Sequence, residues 1–138
     1  PYTKEAPAGV QLVALGELYA RSGVVSLHCP LTAEIRKMLN RDAFSCFKPG
    51  AILVNTACGG LIDEAALVEA LANGRLRAAG LDSFDVEPMT APHPFQGVAN
   101  IILSPHIGGV SDAAYLNMGK GAAANVLAVS EERARTAA

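Results

Sequence analysis

Gly80-Leu81-Asp82-Ser83-Phe84-Asp85-Val86-Glu87-Pro88, a proline-rich loop, then Asn100-Ile101-Ile102-Leu103-Ser104-Pro105-His106-Ile107-Gly108-Gly109: the fold is decided by this stretch. Two short apolar runs, residues 78–84 and 100–104, each give way to polar groups. Asp82 and Glu87 follow the first, and His106 follows the second. In a parallel sheet, polar residues beyond the carboxyl ends of the strands converge on one crevice. A carboxylate and an imidazole that meet there suit general acid–base chemistry, because the carboxylate orients the ring and favours its charged form. The plainer alternative makes Glu87 a surface acid and His106 a turn histidine.

Outward from that stretch, the chain alternates strands with helices. Residues 24–28 (Val-Val-Ser-Leu-His) are β-branched and almost continuously apolar, the pattern of a strand covered on both faces. Residues 51–56, 77–83 and 101–104 predict three more strands, and residues 9–14 (Gly-Val-Gln-Leu-Val-Ala) are strand-like as well. Between them, residues 17–22 read as a short helix closed by Gly23. Thr32 is placed to cap a helix with Glu34 in its first turn and Ile35, Met38 and Leu39 on one face. Residues 41–46 form a second short helical piece before the turn signal Lys48-Pro49-Gly50, with Cys46 as a buried filler. Asp63 caps a helix that runs to Ala72, with Leu67, Ala70 and Leu71 inward and Asn73-Gly74 as its stop.

Residues 87–97, with Pro88, Pro92 and Pro94, must be loop, and His93 within it is expected in solvent. Asp112 is placed to cap a last helix to about residue 129, and the small, polar residues 130–138 are expected to fray. The methionines are read as packing at helical positions. This alternation means an α/β fold with a mainly parallel sheet and right-handed crossovers.

Composition excludes several functions. The 138 residues suffice for one domain, and 51% of them are hydrophobic, enough for a core. Charged residues make up 17% and the net charge is -2, so there is no electrostatic footprint for nucleic acid or an anionic membrane. Aromatics are sparse and tryptophan is absent, which argues against a base-stacking platform. No apolar run has the length of a membrane span, and the first residues lack the basic-then-apolar order of a secretion signal. Cys29, Cys46 and Cys58 are scattered without a Cys-x-x-Cys pair, which fits free thiols in a reducing cytoplasm and argues against a metal site.

Four motifs, in order and spacing, carry a resemblance. They are Ser26-Leu27-His28-Cys29-Pro30-Leu31-Thr32, Lys48-Pro49-Gly50-Ala51-Ile52-Leu53-Val54-Asn55-Thr56-Ala57, Leu81-Asp82 to Glu87-Pro88, and Ser104-Pro105-His106-Ile107-Gly108-Gly109. From residue 9 to about residue 129 the chain resembles the D-isomer-specific 2-hydroxyacid dehydrogenases, in the second half of their nucleotide-binding domain. The resemblance implies a partial Rossmann-like, doubly wound, three-layer parallel sheet. It implies oxidation of D-2-hydroxy acids to 2-oxo acids, or the reverse, with NAD or NADP as cofactor and a small 2-hydroxy or 2-oxo acid as substrate.

Residue by residue, the resemblance makes His106 the group that takes or gives the substrate proton and Glu87 the carboxylate on its far ring nitrogen. Asp82 would hold the nicotinamide amide. His28, Cys29 and Pro30 would line the adenine side with Thr32 nearby. Thr56, Ala57 and Cys58 would border nicotinamide and substrate, and Gly108 and Gly109 would let the backbone approach the cofactor.

Two departures stand against this. Where the family has an arginine, this chain has Cys58, and a thiol cannot clamp a carboxylate with two parallel charged hydrogen bonds. That loss is worth on the order of 3 kcal/mol of transition-state binding. The Gly-x-Gly-x-x-Gly phosphate turn and the ribose acid are absent from the 138 residues, as is the family's substrate domain. The expectation is therefore a partial nucleotide-binding domain over residues 1–138, itself inactive. A domain kept only as an interaction module is the alternative, and a nucleophilic Cys58 a third reading. With the preceding strands missing, residues 24–28 become an apolar edge that favours a homodimer.

Overall fold

The computed structural model describes residues 6–136. The chain divides into two compact units, Pro1–His106 and Ile107–Ala138. The first unit holds one sheet of four parallel strands in the order β1-β2-β3-β4: Val24–Leu27, Ala51–Asn55, Leu76–Leu81 and Ile101–Leu103. Its α-helices are α1 (Leu15–Arg21), α2 (Arg41–Ser45) and α3 (Glu64–Ala72), with a 3-10 turn at Gly59–Leu61. The second unit is α4, Asp112–Thr136.

Register explains both the core and the site. Val25, Leu53, Ala79 and Ile101 are neighbours across the sheet, and Leu27, Asn55, Leu81 and Leu103 form the next row. Both rows face the core that also contains Phe44, Phe47, Leu67 and Leu71. The second row is the carboxyl edge, so every polar residue just beyond it emerges along one rim. The ladder runs one residue past the strands: Asp82 donates its N–H to the Asn55 carbonyl, and Ser104 to that of Leu81, each at 2.9 Å.

Several expectations are corrected. Residues 10–14 are irregular, not a strand: Val10 turns back to donate to the Pro7 carbonyl, and Val10 and Leu12 stay exposed. The first helix starts at Leu15, two residues before the sequence pattern placed it. No helix follows Thr32. Residues 33–37 are turns, because their backbone groups bond elsewhere: Lys37, at φ 52°, donates to the Gly60 carbonyl at 2.8 Å, and Leu39 to that of Leu61 at 3.0 Å. Leu39 and Ile62 then pair as a parallel bridge, so the Ile35/Met38/Leu39 pattern serves packing without helix.

The strand Val24–Leu27 is not covered on both faces; Val24 is 58% exposed while Val25 and Leu27 are buried. Ile102, on the same side of the sheet, is 78% exposed. Cys46 is exposed because it follows α2 on its outer side, leaving Phe44 and Phe47 to fill the core.

Asp63 caps α3 as expected, its side chain accepting from the Ala66 N–H, and Gly74 at φ 75° ends it. Asn40 caps α2 in the same way. In α4 the cap is Ser111, whose hydroxyl accepts from the Ala114 N–H, and Asp112 is the first helical residue. Residues 130–136 continue this helix instead of fraying, and 137–138 lie outside the described residues. Among the described residues no helix is long and apolar enough to cross a membrane.

Candidate functional site

The rim beyond β3 and β4 brings Glu87 and His106 together. His106 Nδ1 lies 2.8 Å from Glu87 Oε2, and Glu87 Oε1 accepts from the Phe84 N–H at 2.9 Å. Both carboxylate oxygens are thus occupied, which fixes the carboxylate plane. That geometry assigns the donated proton to Nδ1 and leaves Nε2 for other work. The Glu87 hydrogen bond and charge raise the His106 pKa above its ordinary value, with a smaller push from Asp82. In return, His106 and the Phe84 N–H lower that of Glu87. His106 itself sits in the left-handed region at φ 55°, its N–H turned onto the Ser104 carbonyl at 2.9 Å. Held strain of this kind, of order 1–3 kcal/mol, gathers at sites where a side chain must be aimed.

Asp82 is buried at the end of β3, and its carboxylate accepts from the Ser104 hydroxyl. Beside it, the buried Ser83 hydroxyl has no hydrogen-bond partner. A groove of about 640 Å³ opens next to the pair, lined by Phe84, Glu87, Pro88, Met89, Leu103, Ser104, Pro105 and His106. Met89 is therefore a groove residue in a loop, not helix packing.

The other predicted residues of the first unit do not line that groove. His28, Cys29 and Pro30 line a second groove of about 530 Å³ along the β1 flank, together with Leu15, Tyr19 and Met38; Thr32 does not line it. His28 Nε2 is 2.8 Å from the Ser26 hydroxyl. Beyond β2, Thr56 is exposed and Ala57 and Cys58 are half-buried; Cys58 is a free thiol and does not line the His106 groove. Gly108 and Gly109 belong to the second unit and are exposed.

Three residues escaped the sequence reading. Asn55 is fully buried at the end of β2, where its Oδ1 accepts from the Ala57 N–H and its Nδ2 donates to the Cys58 carbonyl, each at 3.0 Å. It shapes the loop that carries Cys58. An asparagine on the buried face of a predicted strand, followed at once by small residues, is a legible signal for such a loop brace. Phe84, through its backbone N–H, and Ser104, through its hydroxyl, hold the two carboxylates; neither carried a signal beyond its place in a motif.

The D-isomer specific 2-hydroxyacid dehydrogenase NAD binding domain profile matches residues 1–108. The chain belongs to this family. It is 43% identical over 111 residues to the D-3-phosphoglycerate dehydrogenase of Mycobacterium bovis, covering 78% of this chain and 21% of that protein. The TT0316 protein of Thermus thermophilus superposes with a TM-score of 0.85 at 43% identity, over 94% of this chain and 41% of that one. A Xanthobacter autotrophicus 2-hydroxyacid dehydrogenase in complex with NADPH and MES gives a TM-score of 0.74 at 34% identity, over 79% and 47% of the two chains. This chain thus spans between a fifth and a half of the length of these relatives. The sheet is a Rossmann-like one, and the cofactor class of the family domain is NAD, with NADPH held by one neighbour.

Proposed function

We propose that this chain is the acid–base half of an NAD(P)-dependent D-2-hydroxyacid dehydrogenase, a partial nucleotide-binding domain over residues 1–138. The observation that carries the reading is the 2.8 Å contact between His106 and Glu87 at the carboxyl edge of a parallel sheet in this family. The rim fits a nicotinamide cofactor in its donor set. Asp82 offers a buried carboxylate acceptor suited to a carboxamide N–H. His28, Cys29 and Pro30 form an apolar flank suited to adenine, with Thr32 nearby, and Thr56, Ala57, Cys58, Gly108 and Gly109 follow from the family motifs. When bound, the cofactor supplies the hydride acceptor or donor.

The chain's own residues handle the proton. Glu87 orients the imidazole through Nδ1 and stabilises its protonated form, so Nε2 gives a proton to the carbonyl oxygen of a 2-oxo acid in reduction. In oxidation the neutral ring takes the hydroxyl proton back. Cys58 supplies no cation for the substrate carboxylate, which favours a second reading, a domain kept as an interaction module. We place the protein in the cytoplasm, consistent with three free thiols. We further propose a homodimer, because β1 stands at one edge of the sheet among the described residues.

Reduction of a panel of small 2-oxo acids by NADH and NADPH tests the reading. Turnover by the intact protein, lost in His106→Asn, is expected. A protein that is folded and binds NADH yet turns over no acid in the panel would favour the interaction module. The 138-residue chain alone is expected to bind NADH weakly, because no glycine turn seats the pyrophosphate; a micromolar dissociation constant by calorimetry would contradict that.

A further inference from the structure

The proline-rich loop, expected in solvent, contains a half-buried cluster that no role above uses. His93 is only 16% exposed in its side chain, and its Nε2 lies 3.4 Å from Glu64 Oε2. Its Nδ1 faces the Phe95 N–H at 3.4 Å, so the ring proton is assigned to Nε2, pointing at Glu64. The ring packs against Phe95 at 4.9 Å between centroids and meets Phe84 edge-on at 6.2 Å. Glu64, at the start of α3, uses its other oxygen to accept from the Asp85 N–H at 3.1 Å. One carboxylate therefore ties both ends of the segment between Asp85 and His93, and that segment carries Glu87, Pro88 and Met89.

Phe84 stands between this clamp and the acid–base pair. Its ring is held by His93 and Phe95, and its N–H holds Glu87 Oε1. Its backbone also lies so close to Gly59 that a Cβ there would fall 1.9 Å from the Phe84 carbonyl carbon. The Phe84 carbonyl and the Asp85 N–H share one peptide, held between Gly59 and the Glu64 carboxylate, so the residue that offers its N–H to Glu87 is fixed at its ring and on its carboxyl side.

We propose that His93 and Glu64 are positioning residues for the His106–Glu87 pair, acting through Phe84. Neither touches the groove beside His106. The proposal rests on the acid–base reading of that pair, but its test does not require turnover. The charged groups that act on His106 are Glu87 and Asp82, and neither is altered by the variants below.

The measurement is the titration of the His106 ring by NMR in the full chain. His93→Ala is expected to release Phe84 and Glu87 and to lower the His106 midpoint by roughly half a pH unit, since the hydrogen bond to Glu87 is what raises it. His93→Gln, which keeps an N–H donor towards Glu64, is expected to restore most of that shift. Glu64→Gln, which keeps volume but sets an amide donor against the His93 donor, is expected to give a smaller shift in the same direction. It serves as the deciding variant if His93→Ala does not fold. An unchanged His106 midpoint in folded His93→Ala or Glu64→Gln, with only a lower melting temperature, would make the cluster plain packing and overturn the proposal. If the protein shows no dehydrogenase activity at all, the titration shift still stands or falls by itself.

Discussion

The two ends of the candidate site differ in kind. At the β3–β4 end, a carboxylate with both oxygens occupied holds an imidazole whose remaining nitrogen is available. At the β2 end, Asn55 shapes a loop with equal care, yet the side chain it presents is the thiol of Cys58. Backbone and side-chain braces are present at both ends, and what they present differs: an imidazole at one and a thiol at the other. The imidazole and the thiol are thus carried on different strands with separate braces, and on the function proposed above one can change without disturbing the other.

Breaking the imidazole end has the largest expected effect. On the proposed function His106 is the proton donor, so His106→Asn should lower kcat for 2-oxo acid reduction by about 10²- to 10⁴-fold, measured by steady-state kinetics on the intact protein. A loss of less than about tenfold would mean that the proton travels by another route. Changing the thiol end comes next. Cys58→Arg supplies a guanidinium where the resemblance implies one, and about 3 kcal/mol of charged, bidentate contact corresponds to a gain of roughly 100-fold in kcat/KM. The gain should fall mainly on KM, as expected for a group that binds substrate in ground and transition state alike. No gain for any acid in the panel would show that Cys58 is more than a missing clamp.

Much of this contrast was legible in the sequence, and the misses have a common cause. Asp63 and Asn40 precede helices that need no distant partner, so local chemistry decides them. Thr32 offers the same signal and fails, because Lys37 and Leu39 find backbone partners in residues 60–61, far along the chain. The His106–Glu87 contact followed from strand order and family motifs. His93 did not, because its burial depends on Phe84, Phe95 and Glu64, which only the fold assembles. Likewise the exposure of Val24 and Ile102 reflects which sheet face is covered, and an apolar run does not encode that by itself.

The brace between the two ends is a glycine, and testing it ranks third. Gly59→Ala would press a methyl group into the Phe84 backbone, which cannot turn aside as a side chain does. Overpacking of this sort costs about 1–3 kcal/mol, visible as a lower denaturation midpoint. Gly60→Ala is the control: its nearest obstacle is the end of the Leu31 side chain at 2.8 Å, so a milder loss is expected. Equal losses at the two positions would show that the Gly59–Phe84 contact is not specially tight.

The smallest effect sharpens the comparison most, because it isolates charge from shape. Glu87→Gln keeps an oxygen that can accept from Phe84 or His106 but removes the carboxylate charge. The Glu87 hydrogen bond and charge together raise the His106 pKa above 6.5, so their weakening lets it fall back towards that value. In the proposed mechanism reduction uses the imidazolium and oxidation the neutral ring; the reduction rate should decline with rising pH through the His106 pKa, and in Glu87→Gln that decline should begin at lower pH. The rising limb of oxidation should move the same way.

Stability carries the matching sign. The contribution from His106, whose folded pKa is raised, is full below 6.5 and is lost as pH rises through the folded value. That from Glu87, whose folded pKa is lowered, is full above 4.5 and is lost as pH falls through the folded value. The wild-type chain should therefore gain from the pair between those limits, and Glu87→Gln should lose that feature from its stability-versus-pH curve. Because both side chains are exposed, raising ionic strength should shrink the feature in the wild type and leave the variant unmoved. Kinetic and stability profiles that coincide for the two proteins would mean that Glu87 holds the ring by shape alone, and the two ends of the site would then differ less than their chemistry suggests.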